Sequence, residues 1–199
     1  MKAQISLATT ALLLALGTAH ASPWTFKAGV GQVRPDASHG SLDLDVSNEV
    51  GLTGTIEYQW AQNANLSTEL LLALPFTHDV TLGGNKVAEV THLPPVLSLK
   101  YSFPSPTGWT PYAGVGVNYT LIYDEKTQGV LSGKTLKADD SVGLAGLVGI
   151  GYQMPKSPWG VALDVRYINI KSDLKINGAD SGTLKINPTV VSLSATYKY

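Results

Sequence analysis

The stretch that decides the fold is Trp159-Gly160-Val161-Ala162-Leu163-Asp164-Val165-Arg166-Tyr167. Trp159, Val161, Leu163, Val165 and Tyr167 take every second position, with glycine, alanine, aspartate and arginine between them. A period of two puts the large apolar set on one face of a strand and the small and charged set on the other. Its length suits a strand that crosses a bilayer at a tilt.

Working outward, the same rhythm recurs in seven more segments. Trp24, Phe26, Ala28 and Val30 alternate with Thr25, Lys27, Gly29 and Gly31; Leu52, Gly54, Ile56, Tyr58 and Trp60 alternate with Thr53, Thr55, Glu57 and Gln59. Leu66, Thr68, Leu70, Leu72 and Leu74 stand opposite Ser67, Glu69, Leu71 and Ala73, and Leu97, Leu99, Tyr101 and Phe103 opposite Ser98, Lys100 and Ser102. Ala113 to Leu121, Ser141 to Tyr152 and Val191 to Tyr199 repeat the pattern. Leu70 to Leu74 taken alone suits a helix as well as a strand.

The connections alternate in length. Short turns fall near residues 61–64, 104–109 and 154–158, and long polar loops near 34–50, 75–95, 123–140 and 171–186. The faces rich in glycine, serine, threonine and charge would make a poor core, so the aliphatic faces are expected to point outward. Trp24, Trp60, Trp109 and Trp159 all fall at the short-turn end, joined there by Tyr197 and Tyr199. Such a belt suits a membrane interface. Tyr119 and Tyr167 form a thinner belt about one strand length away. The expected fold is all-β: an eight-stranded antiparallel transmembrane β-barrel with short periplasmic turns and four longer extracellular loops.

The start of the chain reads as targeting. Lys2, the mostly apolar run Ile5 to Leu16 and the small-x-small site Ala19-His20-Ala21 predict a cleavable signal peptide over 1–21. Cleavage is expected between Ala21 and Ser22, leaving a barrel domain over 22–199. With the C-terminal Tyr197-Lys198-Tyr199, an aromatic end resembling the signal read by outer-membrane assembly machinery, this predicts the outer membrane of a Gram-negative bacterium. There are 14 basic and 15 acidic residues, and no run of like charge exceeds two, so no nucleic-acid partner is expected. The absence of cysteine removes disulfides, thiolate nucleophiles and cysteine metal sites.

Several segments also resemble the OmpW family of outer-membrane proteins. They are Leu74-Pro75-Phe76-Thr77-His78-Asp79-Val80, Leu93-Pro94-Pro95, Pro111 to Thr120 and Asp164 to Ile170, with the aromatic end. The terminal Tyr199 departs from the more usual phenylalanine. The resemblance implies an eight-stranded barrel with a hydrophobic interior path, movement of small hydrophobic molecules and lateral release into the bilayer.

Phase counting assigns the interior. Lys27, Glu57, Glu69, Lys100, Asp164 and Arg166 project inward, three of each sign, and form a candidate charged plug. Ions held away from water must pair to offset desolvation. Higher up, Val33, Leu71, Ala73, Val96, Leu147, Ile168 and Val190 project inward as a candidate apolar lumen, either a pocket or simple filling of a narrow barrel. His39, His78 and His92 fall in or beside long loops, where solvated or hydrogen-bonded side chains are expected and no metal site. The wall is expected to be weakest at Gly29-Gly31 or near Pro94-Pro95.

The expected function is a passive, cofactor-free path for small hydrophobic molecules, with outer-membrane lipids and the assembly machinery as partners. A lipid-modifying enzyme and a structural or receptor barrel are the rivals. No histidine follows His92, so the last four strands lack a histidine base, and no catalytic set is expected.

Overall fold

The computed structural model describes residues 22–38 and 44–199, so the predicted signal segment, Ala21 and His39 lie outside the described residues. Among the described residues fifteen strands run in order: β1 (Trp24–Arg34), β2 (Ala37–Ser38), β3 (Leu44–Val46), β4 (Glu49–Gln59) and β5 (Leu66–Ala73). Next come β6 (Phe76–Leu82), β7 (Asn85–Leu93), β8 (Val96–Ser102), β9 (Trp109–Thr127) and β10 (Leu136–Ala138). The rest are β11 (Ser141–Gln153), β12 (Trp159–Ile168), β13 (Ile170–Ile176), β14 (Ala179–Ile186) and β15 (Thr189–Lys198).

Eight of these, β1, β4, β5, β8, β9, β11, β12 and β15, pair antiparallel with their neighbours. The β1–β15 pairing, from Thr25↔Lys198 to Arg34↔Thr189, closes the sheet into a barrel. Closure leaves neither β1 nor β15 with a free edge, and an apolar solvent demands such pairing of backbone polar groups.

β12 shows why the aliphatic face points out. Its burial alternates without a break: Val161, Leu163, Val165 and Tyr167 are exposed, while Gly160, Ala162, Asp164 and Arg166 are buried. Val115, Val142 and Leu144 are 70, 74 and 72 % exposed, a degree that only lipid makes favourable for so many aliphatics together. The short-turn rim carries Trp24 on Tyr58, Trp109 on Tyr152 and Trp159 on Tyr197, each pair 4.9 Å between ring centroids. Trp60 donates from Nε1 to Thr68 Oγ1 at 3.0 Å, and Tyr199 donates its backbone N–H to Trp24 O at 3.0 Å.

The long connections differ from expectation. Within the described residues they are largely strand, not irregular loop. β6 and β7 form a hairpin through Gly83 and Gly84, both at positive φ (55° and 80°). β13 and β14 turn through Asn177 and Gly178 (φ 52° and 80°). Two residues at positive φ match the twist of a two-residue hairpin. β9 runs on past the barrel to pair with β7, and β10-β13-β14-β2 make a second sheet. The barrel therefore continues outward as an extension of β-structure.

Candidate functional site

The interior is layered, and the charged layer comes first. Glu69 of β5 is fully buried, and Lys27 of β1 reaches it at 2.7 Å. Lys100 of β8 lies 2.5 Å from Glu57 of β4 and 3.5 Å from Glu69. Arg166 of β12 donates to Glu69 Oε1, and Asp164 lies 3.6 Å from Lys27 and 3.9 Å from Arg166. All six residues singled out by phase meet in one network. Glu57 and Glu69 stand directly opposite each other across the β4–β5 ladder, a like-charge pairing that Lys100 relieves.

The sequence reading missed Tyr112. It sits two positions before the inward glycines of β9 and donates from its hydroxyl to Asp164 Oδ1 at 2.8 Å. The ammonium groups of Lys27 and Lys100 lie 5.0 and 4.5 Å from its ring centroid, within cation–π range. Gly149 of β11 makes the room: a Cβ there would fall 2.4 Å from Tyr112 Cε2. Below the network a vestibule of about 240 Å³ with a mixed lining opens at the short-turn end.

Above the network the side chains turn apolar. Val33, Leu71, Val96, Ile168 and Val190 pack together with Phe76, Ala145 and Ile170, and Ala73 lies against them. Val96 and Ile168 have no exposed surface. Leu147 is also buried. Six of the seven expected lumen residues thus meet in one apolar layer, whereas Leu147 stands lower, opposite Arg166 on β12, and open volume lies beyond the layer, in the extension. There an apolar cavity of about 270 Å³ is lined by Val46, Val80, Val87, Leu136, Leu174 and Ile176, with His78 and His92 among the walls.

Those two histidines are a correction. They are buried strand residues of β6 and β7, not solvated loop side chains. His78 Nδ1 does make a hydrogen bond, at 2.6 Å to Ser47 O. Burial lowers the pKa of His78 below the ordinary histidine range. His92 is pushed down to about 3, by burial first and by His78 second. Among the described residues no group of three or more His, Cys, Asp or Glu could hold a metal ion.

The wall beside the apolar layer is broken. The β5–β8 ladder ends at Leu71↔Val96, and the β6–β7 ladder starts at Phe76↔His92. No ladder pair links residues 72–75 to residues 93–95. Pro75, Pro94 and Pro95 carry no N–H to donate there. On the other side β4 and β5 pair only up to Thr53↔Ala73, followed by one Leu74 N–H to Leu52 O bond at 3.1 Å. A shallow groove bordered by Leu52, Gly54, Leu72 and Leu74 marks this place on the lipid face. Phe76 fills the inner side, its ring so close to Gly51 that a Cβ there would fall 2.5 Å from Phe76 Cε1.

The sequence profile of the OmpW family matches residues 21–199. The chain belongs to the OmpW family. It is 33 % identical over 191 residues to outer membrane protein W of Vibrio cholerae serotype O1, with 87 % of each chain covered. Its fold is similar to the crystal structure of OprG from Pseudomonas aeruginosa, with TM-score 0.76, 27 % identity and 90 % and 97 % of the two chains covered. It is also similar to AlkL solved in lipid bilayers, with TM-score 0.66, 26 % identity and 93 % and 94 % covered. This OmpW family barrel is a non-enzymatic protein of the Gram-negative outer membrane, embedded in lipid.

Proposed function

We propose that this OmpW family barrel carries small hydrophobic molecules from the outer cavity sideways into the membrane. The observation that supports this reading most is the stacking of three features. An apolar cavity lies in the extension, the wall is unpaired beside Pro75, and a six-charge network closes the barrel beneath. An apolar solute in the cavity has no inexpensive way straight down, because separating or desolvating those ion pairs costs several kcal/mol. The wall break next to the cavity leads to hydrocarbon instead. Below the network the vestibule is bordered by Lys27, Glu57, Lys100 and Lys198, whose charges would not favour such a solute.

A chain without cysteine allows a clean test. Continuing the β5–β8 register past Leu71↔Val96 sets Ala73 opposite Pro94. Cysteines at these two positions, oxidised to a bridge, should stop barrel-dependent uptake of an apolar tracer into reconstituted vesicles, and reduction should restore it. Equal rates in the bridged and reduced protein would overturn the lateral route.

A further inference from the structure

His78 and His92 are polar groups that an apolar chamber has no need of. Their rings stack with centroids 4.8 Å apart and planes 12° from parallel. Phe76 leans on both, at 6.3 and 6.2 Å. The histidines line the outer cavity, whereas Phe76 belongs to the apolar layer beneath and rests on the backbone of Gly51. The three rings therefore stand between the cavity and the break in the wall.

Their hydrogen bonding is lopsided. The oxygen of Ser47 that His78 Nδ1 contacts is a carbonyl, which only accepts, so Nδ1 carries the proton. In the neutral ring Nε2 is then a bare lone pair. Burial keeps both rings neutral. The Nε2 atoms of His78 and His92 are shut away from solvent, and neither has a partner among the described residues. Buried ring nitrogens without a partner are a standing cost to the closed arrangement, and at His78 the nitrogen is an acceptor. A solute that turns the rings and supplies a donor removes it.

We propose that Phe76, His78 and His92 form a latch, and that the solute it favours is an uncharged one- or two-ring aromatic molecule with a single hydrogen-bond donor, a phenol by chemical class. The proposal rests on the outer cavity being the chamber of a hydrophobic path, and it adds the identity of the cargo. Size fits: an apolar cavity of about 150 Å³ holds benzene, so about 270 Å³ takes a fused two-ring solute. The flat face of such a solute packs on the imidazole stack. Its hydroxyl donates to His78 Nε2 as the ring turns. A charged solute is kept out by its desolvation cost, and an ether of the same size offers only a second acceptor.

Three probes of nearly equal bulk separate these cases: 1-naphthol, 1-methoxynaphthalene and naphthalene. Uptake is measured into vesicles with the full-length mature barrel and corrected with protein-free vesicles. 1-Naphthol should pass about fivefold faster than 1-methoxynaphthalene, the worth of one net hydrogen bond. His78→Phe combined with His92→Phe should bring that ratio close to one. A wild-type ratio near one overturns the latch without any substitution, and so does a ratio that persists in a folded variant. If no probe passes faster than in protein-free vesicles, the conduit reading fails separately. Equilibrium dialysis of the same probes against the protein in detergent then decides the latch. Preferential binding of 1-naphthol by the wild type supports it, and equal binding of all three overturns it.

Discussion

The middle of the barrel and its outer extension both hold polar side chains away from water, and they handle the cost in opposite ways. In the middle, Lys27, Lys100 and Arg166 meet Glu57, Glu69 and Asp164, with the Tyr112 hydroxyl added. In the extension two neutral imidazoles face a cavity with one nitrogen each left unpartnered. Both regions use the same alternation of side chains along antiparallel strands. The difference lies in what the inward positions carry: matched charges draw the walls together, whereas aliphatics on two separate sheets leave a gap between them. On the proposed route the charged layer serves as the barrier and the extension as the chamber.

The charged layer depends most on Glu69, which touches all three cations of the network. Glu69→Leu should destabilise the barrel by about 3–5 kcal/mol, because it strands buried positive charge. The measurement is the urea midpoint of the heat-modifiable gel band. Where the variant is folded, uptake of an apolar tracer should stay close to wild type; lost uptake at unchanged stability would put the network on the solute path.

A smaller effect sharpens the role of Tyr112. Gly149→Ala drives a methyl group into its ring and should cost about 1–3 kcal/mol, as overpacking does elsewhere. Pairing it with Tyr112→Leu should recover, in the same urea assay, only the part of the loss due to the ring, because a Cβ at Gly149 would also lie 2.7 Å from Leu163 O. An additive double variant would show that the glycine matters for some other reason.

The smallest effect is local to the extension and depends on pH. His78 and His92 have folded pKa values below the unfolded 6.5, so the opened hairpin binds more protons than the closed one. Stability of the extension is therefore full above about pH 6.5 and declines as pH falls toward 3. Amide exchange in β6 and β7 should speed up over that window relative to β12. Equal protection of the two regions at every pH would contradict it.

The barrel was legible because lipid enforces alternation on every strand, and β12 shows it without exception. The charged network was legible for a related reason: a charge on the lumen face has nowhere else to go. The extension was not read as strand, although Leu82-Gly83-Gly84-Asn85 and Asn177-Gly178 carry two-residue hairpin signals. Polar residues in long connections masked the period there, since lysines and threonines on the solvent face sit beside the aliphatics of the cavity. Tyr112 falls outside the alternation legible from Ala113 onward, because β9 begins four residues earlier, at Trp109, where Pro111 and Thr110 blur the period. The stacking of His78 on His92 depends on the β6–β7 register, in which Phe76 faces His92 and His78 faces Val90. Sequence spacing alone does not set that register.

The β1–β15 seam has a further consequence, for the way the molecule comes together. These partners come from opposite ends of the sequence, and all ten of their pairings, Thr25↔Lys198 through Arg34↔Thr189, form across that separation. Every other barrel ladder joins strands much nearer in sequence. The entropy of closing the largest loop must be met before those pairings repay it. Until the seam is made, both edges present unpaired N–H and C=O groups to hydrocarbon, where nothing else can satisfy them. Insertion and closure are therefore coupled, and a half-zipped barrel is a high-energy species that does not accumulate. A substitution at the seam, such as one replacing Gly29, whose absent Cβ would lie 2.1 Å from Leu193 O, acts on the last step of assembly before it acts on the finished protein.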